Sequence, residues 1–222
     1  MQGLVKQFFS YEYEKKVNKD LLFYSFDKAK VEEYVEGLIN IPLLQFLEYV
    51  DNLEEKQQIE AKDIFQFSDF NDATIIFCEK MKNTDNPGMK FSEIGRLLLD
   101  DGKARNTGAI VKYGENHAKT AEMLGLAFEL CKTYYLSGIG YIYAELSKEK
   151  QKKLLTRLVI RNKLILRMYQ ASKNGAIDMR EFLYMISDTT YMRRRSNIKR
   201  ILNVLSNSDE IDFKYFVDQI RW

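Results

Sequence analysis

Apolar residues recur every three or four positions along most of this chain, with charged residues filling the gaps, and that period predicts helices. In the N-terminal part, KVEEYVEGLI and IPLLQFLEYVDNLEEKQQIEAK alternate apolar and acidic residues in this way, and Pro42 suits a first helical turn. LLFYSF, residues 21–26, reads equally as a short strand. SDFNDATIIFCEKMK offers an N-cap candidate at Ser68 and an apolar stripe through Ile75, Ile76, Cys78 and Met81. The strongest break is NTDNPGM, residues 83–89, where Asn, Asp, Pro and Gly cluster as in a turn.

Beyond that break the pattern predicts a defined order of elements. KFSEIGRLLLDDG reads as a short helix ended by Gly102, and after the loop KARNTG a longer helix runs through AIVKYGENHAKTAEMLGL. AFELCKTYYLSGIG then holds two short extended runs about Cys131 to Thr133, which fit a hairpin. Helix, turn, helix and hairpin in this order describe a winged helix. Ser147 can cap a long amphipathic helix, KEKQKKLLTRLVIRNKLILRMYQASK, that stops at Asn174 and Gly175. A short helix in AIDMREFLYMISD follows, Thr189 or Thr190 caps another, and SNSDEIDFKYF lies where a second wing would sit. The expected fold is mainly α: tandem winged-helix (helix-turn-helix) units with small β-wings, residues 66–146 and 147–222, preceded by an acidic, mostly helical N-terminal region, residues 1–65. The repeat is one of architecture, without a residue-level repeat.

Composition narrows the class. A chain of 222 residues with 45% apolar residues can bury a substantial core. Two cysteines and one histidine exclude a disulfide framework and the usual zinc ligand sets. No apolar run reaches the roughly 20 residues of a membrane helix, and MQGLVKQFFSYEYEKK lacks a signal-peptide pattern, so a cytoplasmic protein without a membrane partner is expected. The net charge of +2 conceals an asymmetry: residues 1–87 carry 10 Lys and Arg against 17 Asp and Glu, and residues 88–222 carry 24 against 15. A basic C-terminal part points to nucleic acid, and an acidic N-terminal part suits protein contacts.

The densest charge lies in TTYMRRRSNIKRIL, Thr189 to Leu202, which still has a helical apolar face of Ile198, Ile201, Leu202 and Leu205. Arg193, Ser196 and Arg200 fall opposite that face, with Asn197 and Lys199 on its flanks. Arg194 and Arg195 lie nearer the core side, where they would snorkel or meet phosphates. In the first unit, inward packing of Gly114, His117, Ala118, Ala121 and Leu124 leaves Lys112, Asn116, Lys119 and Met123 outward. Lys and Arg neutralise phosphates or donate to guanine, and Asn can pair with adenine, so both helices carry groove-reading chemistry.

KYGENHAKTAEMLGL followed by YYLSGIG, with TTYMRRRSNIKRIL later, resembles the winged-helix DNA-binding regions of type II restriction endonucleases and restriction-modification-associated proteins. The resemblance covers residues 66–222 and implies sequence-specific binding of double-stranded DNA, as a recognition domain or as a subunit beside a nuclease. Under that reading Lys112, Asn116, Lys119, Arg193, Arg194, Ser196, Asn197, Lys199 and Arg200 are the DNA-contacting residues, no cofactor is needed, and the N-terminal region holds a nuclease subunit or a second copy of the chain.

Three other readings compete. A complete small endonuclease would need Mg²⁺ and a carboxylate pair, for which Asp51 with Glu60, Ala61 and Lys62 has the residue types, although its helical setting would not converge them. A winged-helix transcriptional regulator, or a protein-interaction module with an acidic partner, would use the same basic helices differently. His117, alone and phased inward, reads as a core histidine rather than a catalytic group.

Overall fold

The computed structural model describes residues 27–51, 59, 64, 71–99, 103–184 and 189–222. Over these residues the chain is mainly α, with eleven helices and a few short strands. It divides into two compact units: Met1–Asn40 with Asn71–Leu154, and Ile41–Phe70 with Leu155–Trp222, each taken over its described residues. The expected N-terminal region, residues 1–65, is thus shared between the units over its described part.

In the first unit, helix α1 (Lys28–Asn40) buries Val31, Tyr34, Val35, Leu38 and Ile39, the i, i+3, i+4, i+7, i+8 stripe of an amphipathic helix. Within the second unit, helix α2 (Leu43–Asp51) follows Pro42 and buries Phe46 and Leu47. Returning to the first, helix α3 (Asn71–Lys82) turns Thr74, Phe77, Cys78 and Met81 inward and leaves Ile76 exposed. The stripe expected through Ile76 is therefore displaced by one residue, toward Phe77. Strand β1 (Gly88–Met89), helix α4 (Phe91–Leu98), helix α5 (Thr107–Met123) and strands β2 (Ala127–Leu130) and β3 (Thr133–Leu136) come next. The strands form one antiparallel sheet in the order β1-β3-β2, with Met89 and Glu129 on either side of Tyr134.

Two close approaches fix this arrangement. A Cβ on Gly95 of α4 would stand 2.0 Å from the Ile110 carbonyl oxygen, and one on Gly114 of α5 would stand 1.9 Å from the Phe91 carbonyl oxygen. The two helices therefore cross backbone to backbone, a separation that only glycine permits. At the hairpin tip Cys131 and Lys132 both have positive φ, 51° and 62°, as a two-residue turn of the primed type requires. Helix α6 (Gly138–Glu145), capped by the Ser137 hydroxyl, packs against α1 and α3.

Helix α7 (Lys148–Ile160) contains the boundary between the units, after Leu154. The long helix expected through residue 173 is broken here. Asn162 accepts hydrogen bonds from the backbone N–H groups of Leu164 (3.1 Å) and Ile165 (3.4 Å), and so caps a new helix, α8 (Lys163–Ser172). Strand β4 (Ile177–Asp178), helix α9 (Met179–Tyr184), helix α10 (Thr190–Ser206), helix α11 (Ile211–Asp218) and strand β5 (Ile220–Arg221) complete the second unit. Strand β5 pairs in parallel with β4.

A second wing is not what residues 206–216 form; from Ile211 onward they belong to α11. The reason is periodic: Phe213 and Phe216, three apart, are buried while Ile211 and Tyr215 are exposed, which suits a helix and not the alternation of a hairpin. Phe216 meets Tyr169 edge to face at 5.5 Å. Just before α11, Glu210 takes a bidentate ion pair from Arg157 (2.6 and 2.7 Å), whose side chain is 1% exposed and whose guanidinium lies 4.7 Å from the Phe46 ring centre. A buried arginine held at both terminal nitrogens by one carboxylate fixes the start of α11.

Among the described residues no helix is long and apolar enough to cross a membrane.

Candidate nucleic-acid interface

Helix α5 starts where the Asn106 side chain accepts the Ala109 N–H at 2.7 Å. Its inner face is Gly114, His117, Ala118, Thr120 and Ala121, with Leu124 just beyond, all buried as the helical phase predicts. The outer face carries Lys112 and Lys119 exposed, with Asn116 and Met123 half-buried. His117 is 4% exposed, and its ring meets that of Tyr113 at a tilt of 56° with centres 4.5 Å apart. Burial lowers its pKa from 6.5 to about 4, so the imidazole is neutral at physiological pH.

One residue changes the character of this face. Glu115 stands between the two lysines, 2.9 Å from Lys112 and 3.8 Å from Lys119. The helix holds two lysines and two glutamates, so its charges balance. The pairing was readable in KYGENHAK, because Glu115 is three residues after Lys112 and four before Lys119, the separations at which helical side chains meet. Behind α5 the Tyr134 hydroxyl lies 3.2 Å from Glu122 and 3.1 Å from Glu129. Burial first, and the neighbouring Glu129 charge second among the raising effects, push the Glu122 carboxyl above its ordinary pKa.

Helix α10 follows the same amphipathic plan with a different outcome. Tyr191, Ile198, Ile201, Leu202, Val204 and Leu205 are buried. Arg193, Arg195, Ser196, Lys199 and Arg200 are exposed, and Arg194 and Asn197 are half-buried. The helix has five cations and no carboxylate. Partial burial lowers the Arg194 pKa, with a smaller contribution from the Arg193 charge, in keeping with a side chain that lies along the protein before reaching water. The Lys199 ammonium stands 4.7 Å from the centre of the Trp222 ring, a cation–π contact.

Arg180, on α9, was not among the residues singled out by pattern. Its guanidinium lies 5.5 Å from the centre of the Tyr191 ring, and that of Arg195 lies 5.8 Å from the same ring. Hydrogen bonds from Arg180 and then Arg195 lower the Tyr191 pKa below a phenol's ordinary value. A six-residue helix has too few turns for a period to mark its exposed face.

Of the carboxylate group considered for catalysis, Asp51 ends α2, and Glu60, Ala61 and Lys62 lie outside the described residues, as do Ser68, Gly102 and LLFYSF. No cluster of three or more His, Cys, Asp or Glu side chains able to hold a metal occurs among the described residues. No protein family, no curated protein and no solved structure matches the chain.

Proposed function

We propose that the protein binds double-stranded DNA, with α10 as the principal reading helix and α5 as a weaker second contact. In this reading α4 with α5, and α9 with α10, are helix-turn-helix pairs. The first unit is then a winged helix whose wing is the β2–β3 hairpin, and the second is a relative in which α11 takes the place of the wing. The observation that carries the reading is the solvent face of α10: Arg193, Ser196, Lys199 and Arg200 are exposed above a fully apolar inner face, on a helix without a carboxylate.

Such a face suits a major groove. Arg193 and Arg200 can donate in pairs to guanine, Ser196 and Asn197 can bond either base, and Lys199 and Arg194 neutralise phosphates that set the register. Lys112, Asn116 and Lys119 would add contacts in the first unit. The setting in a restriction-modification system, as recognition domain or subunit, rests on the resemblance of KYGENHAKTAEMLGL, YYLSGIG and TTYMRRRSNIKRIL alone.

Selection from a random duplex library by the full chain, with and without Mg²⁺, tests the reading. Enrichment of one sequence, with affinity falling steeply as salt rises, is the expected result. Absence of retention, or an affinity indifferent to salt, would overturn it, and cleavage in the Mg²⁺ arm would instead make the chain a nuclease.

A further inference from the structure

Two arginines from different helices converge on one phenol. Arg180 projects from α9 and Arg195 from α10, and both guanidinium groups lie within 6 Å of the Tyr191 ring centre while the phenol itself is 2% exposed. Both residues are exposed. The buried ring therefore serves as a fixed anchor under two positive charges that reach water. A guanidinium carries five N–H donors, so one that bonds the phenol oxygen and lies over the ring can still present a fork to the oxygens of a phosphate.

The position on the helix separates this pair from the base-reading face. Arg195 lies about 40° around α10 from Tyr191, on the side toward α9, whereas Arg193 lies about 160° from it. A residue so placed flanks a groove and does not enter it. Asp178, at the start of α9, accepts the Arg180 backbone N–H at 2.8 Å.

We propose that Arg180 and Arg195, anchored together on Tyr191, clamp a phosphate diester of the DNA backbone beside the reading face of α10. The proposal rests on the DNA-binding reading and adds to it a contact that carries affinity without base preference.

Two measurements on the full chain test it. In the first, duplex affinity is followed against salt: Arg180→Gln should flatten the slope of log K against log salt by about one unit and weaken every duplex by the same factor, while Arg180→Lys keeps most of the slope. An unchanged slope, or a changed preference at one base position, overturns the clamp. In the second, the side-chain Nε–H signals of Arg180 and Arg195 are followed by NMR during titration with inorganic phosphate, against chloride at equal ionic strength. Both signals should move together with phosphate, and less so in Tyr191→Phe, which keeps the ring and removes the hydroxyl. If the wild-type chain ignores duplex DNA, the DNA reading fails, and the phosphate titration decides the clamp alone: joint movement supports an anion site, and no movement beyond the chloride control removes it.

Discussion

Helices α5 and α10 are both 17 residues long, both follow a short helix, and both bury one apolar face, yet their solvent faces differ in kind. In α5 each lysine has Glu115 for a neighbour, and the charges cancel within two turns. In α10 five cations share a helix with no acid, and two of them lean on aromatic rings, Lys199 on Trp222 and Arg195 on Tyr191. A cation beside a carboxylate has already spent part of its field, whereas one resting on a ring keeps its charge for an incoming phosphate. The basicity of a segment is therefore a poor guide to the basicity of the face it presents.

The largest expected effect probes the core that carries α10. Ile201→Ala empties a fully buried site and should destabilise the second unit by about 2–5 kcal/mol in denaturant unfolding, lowering affinity for every duplex alike. Unchanged stability would mean that α10 faces the other way.

Next comes acid. The chain's single histidine lies in the first unit. Its folded pKa is depressed, so the stability it permits is fully present above its unfolded value of 6.5 and is lost as pH falls toward about 4. A depression of that size corresponds to roughly 3 kcal/mol. Amide protection, measured against the intrinsic rate at each pH, should therefore fall in α5 before α10 between pH 6.5 and 4, and the reverse order would contradict the burial of His117.

Arg200→Ala should leave stability intact and relax base preference at one position, at a cost of about 1–3 kcal/mol in binding measured against selected and altered duplexes. The equivalent change at Lys119 should cost much less, because Glu115 lies beside it. Equal costs would erase the contrast between the helices.

The smallest effect reverses the sign. Glu115→Gln releases Lys112 and Lys119 and should strengthen duplex binding by less than about 1 kcal/mol, with a slightly steeper salt dependence by fluorescence anisotropy. A weaker complex would show that Glu115 itself contacts DNA.

Much of the fold was legible because it follows the helical period. The inner faces of α5 and α10 were readable in phase, from Gly114 to Leu124 and from Ile198 to Leu205, since burial selects the phase, and Thr120 and Val204 join them in the structure. The break at Asn162 was hidden for the same reason: apolar spacing runs through Leu158, Val159, Leu164 and Ile165 without interruption, and only a local cap divides it. The hairpin turn lacked its usual signal, because Cys131 and Lys132 adopt positive φ without a glycine. The separation of α1 from α2 into different units depends on contacts between residues far apart in sequence, which no local pattern reports. At the candidate interface, outward cations were visible but their partners were not weighed, and Arg180 needed the ring of Tyr191 in three dimensions to acquire a meaning.

Trp222 is the chain's only tryptophan, and Lys199 rests on it. An exposed cation–π contact is worth about 0.5–1 kcal/mol, less than the roughly 1.5–3 kcal/mol of a hydrogen bond to a charged group, so a phosphate arriving at α10 would win the lysine. The indole would then lose its cation at the moment of occupancy. Under the DNA-binding proposal, indole fluorescence would report occupancy of α10, and Lys199→Met should abolish that change.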